Sequence, residues 1–93
     1  MFILAVDDEQ NMLDKLLNEL VEVFPQVNIH GETKALAAVE WVKSMKESNN
    51  VLEYAFLDIH MRGMNGLELT KHIKTISPRH KIHFLYSLLR VCF

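Results

Sequence analysis

The sequence has little cysteine, proline or glycine. Its 93 residues include one cysteine, Cys92, two prolines and three glycines. A single cysteine excludes an internal disulfide and a cysteine-rich zinc site, and it fits a reducing compartment. The five histidines show no metal-ligand spacing, so we interpret them as surface or partly buried residues.

The sequence also lacks an excess of basic residues and any long apolar run. The formal net charge is −2, so the chain lacks the basic surface typical of nucleic-acid binding. No run approaches the roughly 18 apolar residues of a membrane span. The apolar start MFILAV is too short for a secretory signal and is followed by acids. We therefore expect a cytoplasmic protein that binds neither nucleic acid nor membrane, folded as one domain over residues 1–93.

Four apolar segments alternate with three amphipathic ones. The predicted strands are Phe2–Val6, Val27–His30, Tyr54–Asp58 and Ile82–Tyr86. Apolar residues recur at helical spacing within residues 12–24, 35–42 and 69–76, and Thr33 is the candidate N-cap of the second helix. The order β-α-β-α-β-α-β predicts an α/β fold with a mostly parallel sheet and right-handed crossovers.

Acidic residues follow two of the predicted strands. Asp7 and Asp8 come directly after the first strand, and Asp58 ends the third. Ligands of such sheets bind beyond the carboxyl ends of the strands. Three carboxylates at one rim repel each other, so the site must bind a cation, take up a proton or stay open to water. Mg²⁺ suits such oxygen ligands, and a carboxylate can also accept a phosphoryl group.

Simpler interpretations exist for each acid taken alone. The triplet DDE is typical of a helix N-terminus, where acids interact favourably with the helix dipole. Asp58 alone could cap the end of a strand. Both acidic groups occur in one chain of alternating strands and helices, and this combination favours the functional interpretation.

Three segments, ILAVDDE, AFLDIHMRGMNGLEL and KIHFLYS, resemble the receiver domain of bacterial two-component response regulators. The resemblance extends over residues 2–87 and implies a flavodoxin-like, doubly wound parallel sheet with strand order 2-1-3-4. It implies that Asp58 is the phosphoacceptor and that a sensor histidine kinase is the partner. It also implies a Mg²⁺ ion bound by Asp8, by Asp58 and by the backbone carbonyl of His60, with Asp7 acting through water.

The loop after the third strand matches the family in part. Met61, Gly63 and Gly66 are its family-like residues, and the two glycines let the backbone come close to a ligand. Arg62 stands where the family usually has proline, so we expect a less rigid loop. Asn65 replaces a frequent aspartate, which we expect to matter little.

The end of the sequence departs further from the family. A threonine or serine hydroxyl usually ends the fourth strand, and here that place falls on Tyr86, with Ser87 next. Either residue is a candidate for the hydroxyl switch. The family's fifth strand, its lysine and the last helices have no counterpart in this sequence, so we expect an incomplete receiver. An exposed strand-four edge and an apolar tail would then favour a homodimer or larger oligomer.

Three functions follow from these observations. The first is a phosphoacceptor signalling domain, not an enzyme, that regulates an output domain outside this chain. The second is a pseudo-receiver that acts only as a protein–protein contact module, which the missing lysine and the displaced hydroxyl favour. The third is an aspartate-nucleophile phosphatase. It ranks last because those enzymes have Asp-x-Asp, whereas His60 lies two residues after Asp58.

Overall fold

The computed structural model describes residues 2–59 and 61–76 and the backbone of residues 81–85. Within these ranges four strands alternate with three helices. The elements are β1 (Phe2–Val6), α1 (Gln10–Val23), β2 (Asn28–Glu32), α2 (Ala35–Glu47), β3 (Leu52–Asp58), α3 (Gly66–Ile76) and β4 (Lys81–Leu85). The predicted order of elements is confirmed. None of the described helices has the length and apolar character needed to cross a bilayer.

The four strands form one parallel sheet in the order β2-β1-β3-β4. At its carboxyl edge, Val6 of β1 pairs with Glu32 on one side and with Leu57 on the other. Asp58 pairs with Leu85 of β4. The predicted α/β class and the strand order 2-1-3-4 are therefore confirmed, and the ends of β1 and β3 lie side by side.

Side chains of β1 alternate between the two faces of this sheet, as the pleat requires. Leu4 and Val6 point to the face covered by α2 and α3, which we call the α2–α3 face. Ile3 and Ala5 point to the face covered by α1, which we call the α1 face. The buried core of the α2–α3 face comprises Leu4, Val6, Ala38, Val39, Val42, Leu52, Ala55, Leu57, Met61, Leu69 and Ile73. That of the α1 face comprises Ile3, Ala5, Leu13 and Leu20.

Three boundaries around β2 differ from the prediction, and the first is its start at Asn28, where Val27 was predicted. The strand runs on to Glu32 because it stays paired with β1 along its whole length. Helix α2 begins at Ala35, and its N-cap residue is Lys34, which forms no side-chain cap hydrogen bond. The prediction of Thr33 as the N-cap was therefore wrong. Because β2 extends further than predicted, residues that were expected to form the turn before α2 belong to the strand.

Some predicted positions lie outside the described residues. They are His60, the end of the fourth strand at Tyr86, its neighbour Ser87, and the rest of the C-terminal tail.

Candidate metal centre

Three carboxylates meet at the carboxyl edge of the sheet. Asp7 and Asp8 follow β1, and Asp58 is the last residue of the neighbouring β3. One oxygen from each of the three lies within 4.8 Å of the other two. Asp7 and Asp58 are buried, with 1% and 0% of their surface exposed, whereas the side chain of Asp8 is 22% exposed. The structure thus brings together the acids that the sequence predicted would converge.

Asp7 is held by the turn that leaves β1. Its Oδ1 accepts a hydrogen bond from the backbone N–H of Glu9, at 3.0 Å. Its own backbone N–H donates to the carbonyl of Glu32 at 3.2 Å, which continues the pairing of β1 with β2. A short polar side chain that bonds the backbone two residues on is a common turn device. The turn therefore fixes Asp7 at the rim just before α1 begins.

Asp8 is tied to the loop that follows β3. Its Oδ2 accepts from the backbone N–H of Arg62 at 3.1 Å and from the Nε–H of the same arginine at 3.4 Å. The Arg62 side chain is 92% exposed and the Asp8 side chain 22%. Sequence reasoning assigned Arg62 only an effect on loop rigidity. It missed this contact because the two residues are 54 positions apart.

The loop between β3 and α3 needs glycine at two places for different reasons. Gly63 has a φ of +74°, in the left-handed region that L side chains disfavour. At Gly66, a Cβ would lie 2.5 Å from the carbonyl oxygen of Asp58. The Gly66 N–H also donates to the carbonyl of Ile59 at 3.2 Å. Helix α3 therefore begins in direct contact with the backbone that carries Asp58.

Two further residues fix this loop. Asn65 caps α3, since its Oδ1 accepts from the backbone N–H of Glu68 at 2.9 Å. Met61 is 8% exposed and lies in the core of the α2–α3 face. The loop is thus anchored at both ends, by an apolar contact and by a helix cap.

A cleft of about 430 Å³ opens beside the acidic cluster. Its walls are Asp8, residues 33–37 at the start of α2, and residues 61–64 of the loop. The cleft gives a ligand a route to Asp8 from solvent.

The donor set fits a hard divalent cation. Mg²⁺ takes oxygen ligands at about 2.0–2.1 Å in an octahedral shell, so bound oxygens lie about 3 Å apart when adjacent and about 4.2 Å apart when opposite. The three carboxylate oxygens lie within 4.8 Å of one another, close to this range. A bound cation would offset the repulsion between these neighbouring carboxylates.

The sequence model of the response regulator receiver domain matches residues 3–87. No curated protein matches the chain.

Among solved structures, the chain resembles the receiver domain of the histidine kinase CKI1 from Arabidopsis thaliana, complexed with Mg²⁺ and BeF₃⁻. The TM-score is 0.79 and the identity 21%, over 91% of this chain and 64% of that one. The chain therefore spans less than two thirds of the length of that receiver.

It also resembles the response regulator TrrA from Thermotoga maritima, solved with Mg²⁺ and beryllium fluoride. The identity is 30% and the TM-score 0.73, over 97% of this chain and 74% of that one. A third similar structure, the response regulator domain of Thermotoga maritima CheB, has a TM-score of 0.72 and 25% identity, over 95% of this chain and 61% of that one. The fold, the matched residues and the identity to TrrA agree: this chain belongs to the response regulator receiver domain family of two-component systems.

Proposed function

We propose that this chain accepts a phosphoryl group on Asp58 from a histidine kinase, in a Mg²⁺-dependent reaction. The observation that supports this most directly is the meeting of Asp7, Asp8 and Asp58 within 4.8 Å at the carboxyl edge of the sheet. The receiver domains of CKI1 and TrrA, with the same fold, were solved with Mg²⁺ and a beryllium fluoride.

Each acid has a separate role in this proposal. Asp58 is the nucleophile, and the paired strand β3 holds it in place. Asp8 and Asp58 bind Mg²⁺ directly, and Asp7 supports the ion through water. The backbone carbonyl of His60 is the proposed further ligand, although that residue lies outside the described part of the chain. Tyr86 and Ser87, also outside it, stay candidates for the hydroxyl switch.

The only covalent contribution of the protein to the transfer is the carboxylate of Asp58. A carboxylate oxygen of Asp58 forms the bond to phosphorus as the bond from phosphorus to the donor's leaving group breaks, and that group departs with the electron pair. When bound, Mg²⁺ offsets the negative charge between the attacking carboxylate and the phosphoryl oxygens. The rest of the chain contributes by positioning these groups. Strands β1 and β3 hold the acids in place, and the loop brings the backbone N–H of Arg62 to Asp8.

The test is Mg²⁺-dependent incorporation of phosphate from acetyl phosphate or phosphoramidate, measured by intact mass. We expect the wild type to gain one phosphoryl group and Asp58→Asn to gain none. Asp14→Asn is the matched control, because Asp14 is an exposed acid on α1 whose carboxylate accepts a hydrogen bond from the Gln10 side chain. A gain that persists in Asp58→Asn would contradict the assignment of the nucleophile.

The alternatives give different results in the same assay. A folded wild type that takes up no phosphate would favour the contact-module function. Steady turnover of a phosphate ester would favour an aspartate-nucleophile phosphatase over a phosphoacceptor that at most slowly loses its own phosphate. The proposed role of the phosphorylated chain is to regulate an output domain in the cytoplasm.

We also propose that the chain self-associates along β4. This strand lies at the edge of the sheet formed by the described residues, and an edge strand presents backbone groups that a second chain can pair with. The C-terminal tail, which we expect to take part, lies outside the described residues. Light scattering at tens of micromolar protein should give the mass of a dimer or larger species. A monodisperse monomer would contradict self-association and leave phosphate acceptance unaffected.

A further inference from the structure

Arg62 places a positive charge directly on one of the proposed metal ligands. Its backbone N–H and its Nε–H both donate to the same oxygen of Asp8, at 3.1 and 3.4 Å. The geometry points to Arg62 as an internal competitor of the divalent cation at Asp8, which raises the Mg²⁺ concentration needed to load the site. This inference rests on the proposed function, since it concerns the same acidic cluster.

The competition is electrostatic. A guanidinium beside Asp8 offsets part of the negative charge that attracts a metal ion, and two cations on one carboxylate repel each other. The Arg62 side chain is 92% exposed, so water and salt weaken the pair and the guanidinium can leave at low cost. From the strength of exposed ion pairs we expect Arg62 to weaken Mg²⁺ binding by a factor of about two to five.

The two donors of Arg62 can be separated by substitution. Arg62→Ala removes the Nε–H and the charge but keeps the backbone N–H that joins the loop to Asp8. Arg62→Lys keeps a charge but loses the planar guanidinium that delivers the Nε–H. Since the side chain is almost fully exposed, neither change opens a cavity in the core.

Lys34 offers a matched control. It lines the same cleft beside the cluster, and within the described part of the chain it forms no ion pair with Asp8. Lys34→Ala therefore removes one positive charge near the cleft without breaking a contact to a proposed ligand. Asp8→Asn is the second control, because it removes the proposed metal ligand itself.

The experiment is titration of the full chain with Mg²⁺ at low ionic strength by isothermal titration calorimetry. We expect Arg62→Ala to bind Mg²⁺ about two to five times more tightly than the wild type, with Arg62→Lys in between. Lys34→Ala should change the affinity less, and the gain in Arg62→Ala should shrink in high salt. In NMR spectra of the wild type, the Arg62 Nε–H resonance should shift as Mg²⁺ is added.

The outcomes separate this inference from the proposed function. If Asp8→Asn loses Mg²⁺ binding while Arg62→Ala binds no more tightly than the wild type, the metal site stands and the competition is overturned. An equal gain in Lys34→Ala and Arg62→Ala would also overturn it, because the effect would then be general charge. If Asp8→Asn binds Mg²⁺ as the wild type does, the proposed metal site fails and the inference fails with it.

Discussion

The two faces of the sheet are packed very differently. Within the described part of the chain, two helices and eleven buried residues form the core of the α2–α3 face, against one helix and four buried residues on the α1 face. Tyr54 and Phe56 on the α1 face are only partly buried. Met61, from the loop beside the acids, belongs to the larger core. The face with the larger buried core therefore also supports the loop of the candidate site.

The largest expected effect is from opening a cavity in the α2–α3 face. Leu69 is fully buried there, and Leu69→Ala should lower the free energy of unfolding by about 2–5 kcal/mol, from lost burial and the cavity left behind. Leu13→Ala on the α1 face should cost less, because its neighbours Leu16 and Leu17 are only partly buried and can shift into the space. Urea denaturation measures both. An equal or greater loss for Leu13→Ala would contradict the inferred difference between the two faces.

A methyl group at Gly66 comes next in size. The added Cβ would lie 2.5 Å from the Asp58 carbonyl oxygen and 2.8 Å from the Ile59 Cα. Both are backbone atoms, which cannot rotate out of the way as the end of a side chain can. Gly66→Ala should therefore cost about 1–3 kcal/mol, as overpacking does, and should also reduce phosphate incorporation.

Gly63→Ala is the control for that prediction. Nothing lies within 4 Å of its added Cβ, so its cost comes only from the φ of +74° and should be about 1–2 kcal/mol. Thermal unfolding compares the two variants. A smaller loss at Gly66 than at Gly63 would show that β3 and α3 are less tightly joined than the structure indicates.

Mg²⁺ should stabilise the folded state by binding to the acidic cluster at the carboxyl edge of the sheet. A ligand that binds only the folded state adds about 1.4 kcal/mol at ten times its dissociation constant. The melting temperature should therefore rise with Mg²⁺ in the wild type and stay constant in Asp8→Asn. The same rise in both proteins would place the ion elsewhere.

The smallest effect is expected from a methyl group on the α1 face. The Cβ of Gly31→Ala would meet the Leu17 side-chain ends at 2.9 and 3.2 Å and that of Leu13 at 3.4 Å. These are the far ends of flexible side chains, so we expect a loss below about 1 kcal/mol. Denaturant midpoints measure it. A loss as large as that of Gly66→Ala would mean that the α1 face is as rigid as the other.

Much of the fold could be predicted from local patterns. The apolar run Phe2–Val6 predicted β1 with its observed bounds, because a strand buried on both faces excludes polar residues throughout. Strand β3 begins at Leu52, two residues before the prediction. Strand β2 extends to Glu32. The ends of both strands depend on pairing with β1. Such pairing cannot be predicted from a local sequence pattern.

Only the part of the candidate site that lies at the ends of strands could be predicted from the sequence. Asp7, Asp8 and Asp58 could be placed together because parallel strands end at one edge. The contact of Arg62 with Asp8 could not, since it depends on the path of a loop 54 positions away. The roles of the acids as phosphoacceptor and metal ligands stay predictions, as does the place of His60.

The all-parallel sheet has a consequence for how the acidic cluster assembles during folding. No two neighbouring strands are joined by a tight turn, since every pair in the order β2-β1-β3-β4 is parallel. Asp58 reaches Asp8 only after β3 has paired with β1, from which it is separated in the chain by α1, β2 and α2. Such long-range pairing is slow to nucleate, and on the ribosome it must wait for β3 to emerge. Cation binding at the cluster would therefore report that one long-range folding event, the pairing of β3 with β1, has taken place.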